Sequence, residues 1–464
     1  MGNRRILIAV TLVVTCGLAF ALTYLLLQST QLAIIAFGAI VGVSILFANP
    51  FIGLVNYLLF LYIRPQDYMA GMQGMPIMLA LGGATALLLV LHMAVKERHI
   101  TITKTPMNMI LAWFVAAIAL SHMTRLYLPN LIAALKDFVP TVVMYFLITN
   151  LVVTRSRLKF VIRLIVFLTI ILAAQGLVQF YTGTGFGGQE AYEGRIQAVG
   201  IFSDPNDLAL ALVIVLPYVF LKLVGRARGW EKILAAISMA LLVYALYLTA
   251  SRGGLLAFAV LMMLLFSRKY GKVPGMLAGG LILAVVLVLG PRMASISTDE
   301  ASAYGRIQAW GLGLDLFEQF PLFGVGSGQY TEYHFRTAHN SFVLCAAELG
   351  MFGLVPWVMM IYLTIRNNHF ISKHMGAGKG EDIAIYVDTI RYALIAFVLA
   401  AYFLSRTYSE LLFILIALGA CATQIFVKES GEEYKLIERR DLTHALLWTG
   451  LGWGVTKLFL FTAW

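Results

Sequence analysis

Two arginines of this chain sit in the same pentapeptide, Gly-Arg-Ile-Gln-Ala, at residues 194–198 and again at 305–309. The first copy runs on to Phe202-Ser203-Asp204-Pro205-Asn206-Asp207, the second to Pro321-Leu322-Phe323-Gly324-Val325-Gly326-Ser327-Gly328. Between them stands Ala250-Ser251-Arg252-Gly253-Gly254, and after them Ala338-His339-Asn340-Ser341-Phe342, leading to Ala347-Glu348-Leu349-Gly350. Arginine carries a planar fork of donors that grips phosphate two oxygens at a time and stays charged at every physiological pH. Arg195, Arg306 and Arg252 are therefore candidate contacts to a diphosphate, with Asn206, Ser251, Asn340 and Ser341 as supporting polar groups. A five-residue repeat also arises by chance, and an arginine at the end of a membrane span also reaches lipid headgroups, which leaves Arg252 open to either reading.

His339 is the one histidine whose flanks point to chemistry. A helix start behind it and arginines around it disfavour the imidazolium, and a neutral imidazole can take a proton from an attacking hydroxyl. Helices predicted to begin after Pro205, Arg252 and His339 would turn free N–H groups and positive dipole ends toward one layer, which also favours an anion. Ser203 or Asp204 ahead of Pro205 reads as an N-cap followed by a proline at the first helical position. Neither loop has an Asp-x-Asp pair or a His/Asp/Glu cluster at metal spacing, so a metal-bridged diphosphate is not expected. No Walker motif is present, and Gly324-x-Gly326-x-Gly328 reads as a flexible turn rather than a nucleotide loop.

The elements that must hold these groups are membrane spans. Of 464 residues, 60% are hydrophobic and 12% charged, against roughly 25% charged in a soluble domain. Apolar runs long enough to cross a bilayer recur near 6–27, 31–48, 51–63, 76–95, 106–122, 138–153, 160–180, 208–224, 231–249, 253–267, 273–290, 341–364, 384–403 and 408–427. The pair at 31–63 reads as half-spans or one broken hairpin, and 442–460 as a stretch at the interface. The opening Met1-Gly2-Asn3-Arg4-Arg5 resembles a signal sequence, but the apolar run behind it is long and no small-x-small site follows, so it counts as the first span. Cys16, Cys345 and Cys421 are too scattered for a disulfide framework or a zinc site.

Most of the excess behind the net charge of +11 sits in short loops, whose basic clusters all fall on one side: Arg4-Arg5, Lys96-Arg98-Lys104, Arg155-Arg157-Lys159, Arg226-Arg228-Lys232, Arg268-Lys269-Lys272 and Arg366-Lys373-Lys379. That is the positive-inside bias rather than a nucleic-acid surface, and it makes this side cytoplasmic. Segments 181–207 and 291–340 then face away from the cytoplasm. The expected fold is an all-α polytopic transmembrane helical bundle of 12–14 spans with a long, partly helical periplasmic loop. Its expected parts are N-terminal helices over 1–180, a core over 181–364, and C-terminal helices and tail over 365–464. A transporter would need ionisable residues near mid-bilayer in paired broken helices; the polar residues here gather at span ends instead, Lys136-Asp137 included.

Over about residues 190–360, Ser251-Arg252-Gly253, Pro321 to Gly328, His339-Asn340-Ser341 and Glu348-Leu349-Gly350 stand in an order that resembles the O-antigen ligase (WaaL) and O-antigen polymerase (Wzy) superfamily. Around Tyr62-Ile63-Arg64-Pro65-Gln66-Asp67-Tyr68 the chain is similar to the O-glycosylation ligases associated with exosortase systems. The resemblance implies an inner-membrane glycosyltransferase with its site facing the periplasm, using no cofactor and no metal and inverting the anomeric centre. Its donor would be an undecaprenyl-diphosphate-linked glycan and its acceptor lipid A-core, a second lipid-linked glycan or a protein hydroxyl, in that order. It also implies that His339 is the base and that Arg195 and Arg306, with Arg252 as a third, contact the diphosphate.

Overall fold

The computed structural model describes residues 46–67, 75–185, 188–289, 296–375, 381–431 and 438–463. The expected spans 6–27 and most of 31–48, together with Cys16 and Tyr68, lie outside the described residues. What is described is all-α: α1 (Pro50–Ile63), α2 (Ile77–His92), α3 (Pro106–Met123), α4 (Leu128–Leu151), α5 (Arg155–Thr182), α6 (Pro205–Val224) and α7 (Gly229–Leu248) are followed by a second series. That series is α8 (Arg252–Tyr270), α9 (Lys272–Leu289), α10 (Ile296–Gln319), α11 (Ser341–Met375), α12 (Glu381–Ala401), α13 (Glu410–Ser430) and α14 (Arg439–Ala463). Ten of the described helices are long and apolar enough to cross a membrane, and Pro50–Ile63 and Lys272–Val285 are shorter apolar helices. The chain is a multi-pass membrane protein.

Leaving α10 aside, successive helices alternate in direction, and the starts of α6, α8, α11 and α13 meet around the 402–409 connection at one end of the bundle, with the described basic clusters at the other. These ends are called the basic face and the site face below. Local chemistry fixes where the helices begin. Asp204 caps α6 by accepting from Asn206 N at 2.7 Å, with Pro205 at the first helical position. Ser251 caps α8, its Oγ accepting from Gly254 N at 3.2 Å. Asn340 caps α11, its Oδ1 accepting from Phe342 N at 2.9 Å and Val343 N at 3.2 Å. Each side-chain oxygen satisfies donors that the first helical turn leaves open.

The expectation that 341–364 forms one continuous span is corrected by a break in α11. Gly350 has φ 61° and ψ −163°, so Ser341–Leu349 and the rest of the helix are two pieces. The break is filled by the segment expected to be a flexible turn. Val325 N donates to Ala347 O and Gly326 N to Glu348 O, both at 3.0 Å, while Met351 N donates to Pro321 O at 2.8 Å and Phe352 N to Leu322 O at 3.0 Å. The middle of the segment, residues 324–327, is buried between this break and the end of α3, where Ser327 Oγ lies 3.0 Å from His122 Nε2. Non-helical backbone is tolerated at membrane depth only where other protein groups satisfy it, and here the broken helix does so. Gly324 and Gly326 therefore serve close approach, while Gly328, with open space around it, serves a turn at φ 73°.

The orientation has a direct test. The charge bias predicts that Thr331 and Glu190, both exposed on the site face, lie outside the cytoplasm. In a background without Cys16, cysteines at these positions should react with an impermeant thiol reagent in intact spheroplasts, because Cys345 and Cys421 are fully buried. Labelling only after lysis would reverse the topology.

Candidate active site

His339 occupies the last turn of the connection before α11 and is half-buried. Its backbone sits in the left-handed region at φ 49°, a conformation open to Gly and several-fold enriched in Asn, Asp and His among the other residues. Two bonds hold that turn to the 402–409 connection. His339 N donates to Ser405 Oγ at 2.8 Å, and Thr337 Oγ1 pairs with the same hydroxyl at 2.6 Å. One residue on, Ser341 Oγ donates to Leu404 O at 2.6 Å and accepts from Arg406 N at 2.7 Å. Burial pulls the His339 imidazole below its ordinary value, and Arg306, Arg336 and Arg406 push the same way, with Asp204 opposing them. Burial and these guanidinium groups thus both favour the neutral imidazole.

Arg406 is the functional candidate that sequence reasoning missed. It forms a two-pronged ion pair with Asp207, Nε to Oδ1 and Nη2 to Oδ2. Asp207 is buried in the first turn of α6, whereas the Arg406 side chain keeps 39% of its surface exposed. Beside the pair lies a cleft of about 210 Å³, lined by Ile201, Asp207, Ser405, Arg406, Tyr408 and Glu410 among others. Ser405 lines the cleft and also holds His339, so His339 and the cleft are neighbours. One signal was available: Arg406 is the basic residue of a short connection between two span ends on the site face. In the described connections of that face, at 64–67, 124–127, 183–204, 320–340 and 402–409, every lysine-or-arginine position is arginine.

The two pentapeptides are not structural equivalents. The first is a loop: Gly194 turns at φ 74°, and Tyr192 and Arg195 exchange backbone bonds. The second is the third turn of α10, so Arg306 projects from a helix rather than from a loop. Arg195 is buried, its Nε donating to Thr249 O at 2.8 Å and its Nη2 to Asn206 Oδ1 at 3.0 Å. That ties the loop to the end of α7 and the start of α6, while Asn206 is itself held by Asp204. The charge of Arg306 disfavours protonation of His339, and Arg336 lies beside Gly305. Arg252 is exposed at the first turn of α8, where Gly253 packs against Phe403 of the 402–409 connection. Asn340 is fully buried, and its Nδ2 has no hydrogen-bond partner among the described residues.

Arg64 and its neighbours join the same face. Tyr62 packs its ring on Phe202 at 5.2 Å, Arg64 pairs with Asp67 at 2.9 Å, and the Arg64 side chain crosses Gly200 so closely that a Cβ there would overlap it. The segment Tyr62–Asp67 thus buttresses the loop that leads to Asp204 and Asp207. Among the described residues no three His, Cys, Asp or Glu side chains gather as a metal site.

No curated protein matches the chain. The stretch from α7 to just past the break in α11 holds Ser251, Arg252, Arg306, the docked glycine segment, His339 and Glu348; Arg195, Asn206 and Arg406 lie outside it. That stretch, residues 237–358, matches the family model described as O-antigen ligase, which supports the O-antigen ligase and polymerase superfamily for this domain.

Proposed function

We propose that the chain transfers a glycan from undecaprenyl diphosphate to an acceptor hydroxyl, in first place on lipid A-core, at the periplasmic face of the bacterial inner membrane. His339 takes the proton of the acceptor hydroxyl, whose oxygen attacks the anomeric carbon from the face opposite the diphosphate. The bond from that carbon to the phosphate oxygen breaks, and its electron pair leaves with undecaprenyl diphosphate. The observation that carries this reading is the gathering of Arg306, Arg336 and Arg406 about His339 beside a cleft. Guanidinium groups placed where negative charge develops act as an oxyanion-type stabiliser, worth several kcal/mol in a dry site. In this reading Arg195 braces the loop, Arg252 is a further donor at the rim, and Arg406 joins the diphosphate contacts.

One observation bears on a transporter: Glu348 is buried at the break in α11, as a broken-helix ion site would require. Its oxygens are already engaged, however, by Tyr330 N at 3.2 Å and Tyr408 Oη at 2.8 Å, and the break is filled by backbone. The glycosyltransferase reading is therefore preferred. Purified protein mixed with lipid-linked glycan and lipid A-core should make product without ATP and in the presence of EDTA. Loss of transfer in EDTA with rescue by a divalent ion would remove the arginines as chief partners of the diphosphate. Product only with a second lipid-linked glycan or a Ser/Thr peptide would select the polymerase or protein-ligase alternative. No product, with movement of lipid-linked glycan across vesicles, would select transport.

The neighbours of His339 also set the pH profile. A base must be neutral, so the rate rises through the imidazole pKa, which lies below its ordinary 6.5. Removing Arg306 removes a cation that opposes protonation, so the pKa rises and the acidic limb of kcat/KM in Arg306→Gln should move to higher pH. Donor affinity should fall with it. A limb that stays in place would mean that Arg306 does not act on His339.

A further inference from the structure

The basic face carries a cavity that the transfer reaction does not use. It lies between the start of α3 and the basic ends of α11 and α13, and has a volume of about 200 Å³. Its walls are mostly apolar, with Met107, Ala420 and Val427 among them, and its lining contains two lysines, Lys104 and Lys428, and no acidic residue. Both lysines are exposed, and among the described residues neither has an ion-pair or hydrogen-bond partner. Glu429, next to Lys428, is engaged by Arg155 at 2.5 Å. The cavity wall also holds Gln424, whose Nε2 is shut off from solvent and has no acceptor among the described residues.

A buried amide donor without an acceptor costs about 1–3 kcal/mol, so the site is built for an oxygen that the protein itself does not provide. Two uncompensated ammonium groups ask for that oxygen to be anionic, and the apolar walls ask for a ligand with hydrocarbon attached. The location, at the end of the membrane spans, supplies such a ligand from the bilayer. We propose that this cavity holds one anionic phospholipid of the leaflet on the basic face, its phosphate at Lys104, Lys428 and Gln424 and part of an acyl chain against Met107, Ala420 and Val427. A zwitterionic lipid fits less well, because its ammonium would add a third cation to the rim.

Native mass spectrometry of the detergent-purified full chain can count bound lipid. With dioleoyl phosphatidylglycerol and dioleoyl phosphatidylcholine in equal amounts, one phosphatidylglycerol should be retained in preference. Changing Lys104 and Lys428 together to Gln should weaken that retention by about thirtyfold, at roughly 1 kcal/mol for each basic residue near an anionic lipid. Gln424→Leu should weaken it with both charges in place, while Lys269→Gln with Lys272→Gln, on the same face but away from the cavity, should not. Equal retention of the two lipids would overturn the proposal, as would an equal loss in the Lys269 and Lys272 control. Displacement by excess inorganic phosphate would reveal a bare anion site and would overturn the lipid assignment too.

Discussion

Asparagine in place of His339 should abolish glycan transfer while the folded chain and its hold on the lipid-linked donor stay nearly intact. The choice of asparagine follows from the backbone. At φ 49° an alanine pays a left-handed penalty of about 1 kcal/mol, so loss of activity in His339→Ala would mix strain with chemistry. Asparagine enters this region easily, and its backbone N–H can still donate to Ser405 Oγ as His339 N does at 2.8 Å. What asparagine lacks is a basic nitrogen. General-base catalysis contributes a factor of about 10² to 10⁴, so the variant should fall by that amount in single-turnover transfer, and the acidic limb of the pH profile should vanish with the imidazole. Donor affinity, which rests on the guanidinium groups, should change little. Turnover within a few-fold of wild type in a well-folded His339→Asn protein would reduce His339 to a structural link between α11 and the 402–409 connection.

How far such a site is legible before folding depends on the distance over which each signal acts. Spans such as α3, α6 and α13 are written in continuous apolar runs, and Asp204-Pro205 announces the start of α6 within two residues, so both were readable. The two Gly-Arg-Ile-Gln-Ala copies show the opposite case. The same five residues make a turn after Glu193 (φ 51°) and a helical turn inside α10, because flanking sequence and packing override so short a motif. The pairing of Arg406 with Asp207 was hidden for a different reason. Each residue looks ordinary in its own segment, and only the packing of α6 beside the 402–409 connection gives them a common purpose. The glycine segment was misread because its partner is another glycine far along the chain. Three glycines in eight residues look mobile until Gly350 opens a helix for them to fill.

That junction carries the largest stability effect expected in the molecule, and a single methyl group should expose it. Gly350 combines φ 61° with ψ −163°, a region essentially closed to residues with a Cβ, costing about 1–3 kcal/mol. In Gly350→Ala the new methyl would overlap the Leu322 carbonyl carbon and fall 2.6 Å from Phe323 N. The segment cannot back away cheaply. Pro321 O and Leu322 O accept from Met351 N and Phe352 N, and moving them would leave those half-buried donors open on the far half of α11. It would also lift Val325 N and Gly326 N from Ala347 O and Glu348 O, and with them the stretch that runs on to Tyr330 and His339. Strain and lost bonds together should exceed about 3 kcal/mol, seen as a large fall in the thermal unfolding midpoint in detergent and as loss of transfer. Gly311→Ala is the matching control, since it lies in the interior of α10 with nothing within 4 Å of the added carbon. There the substitution should be neutral or stabilise by roughly 0.5–1 kcal/mol, through the lower chain entropy of alanine. Gly350→Ala melting alongside Gly311→Ala, with transfer intact, would show that the break in α11 and the segment docked in it do not hold the site together.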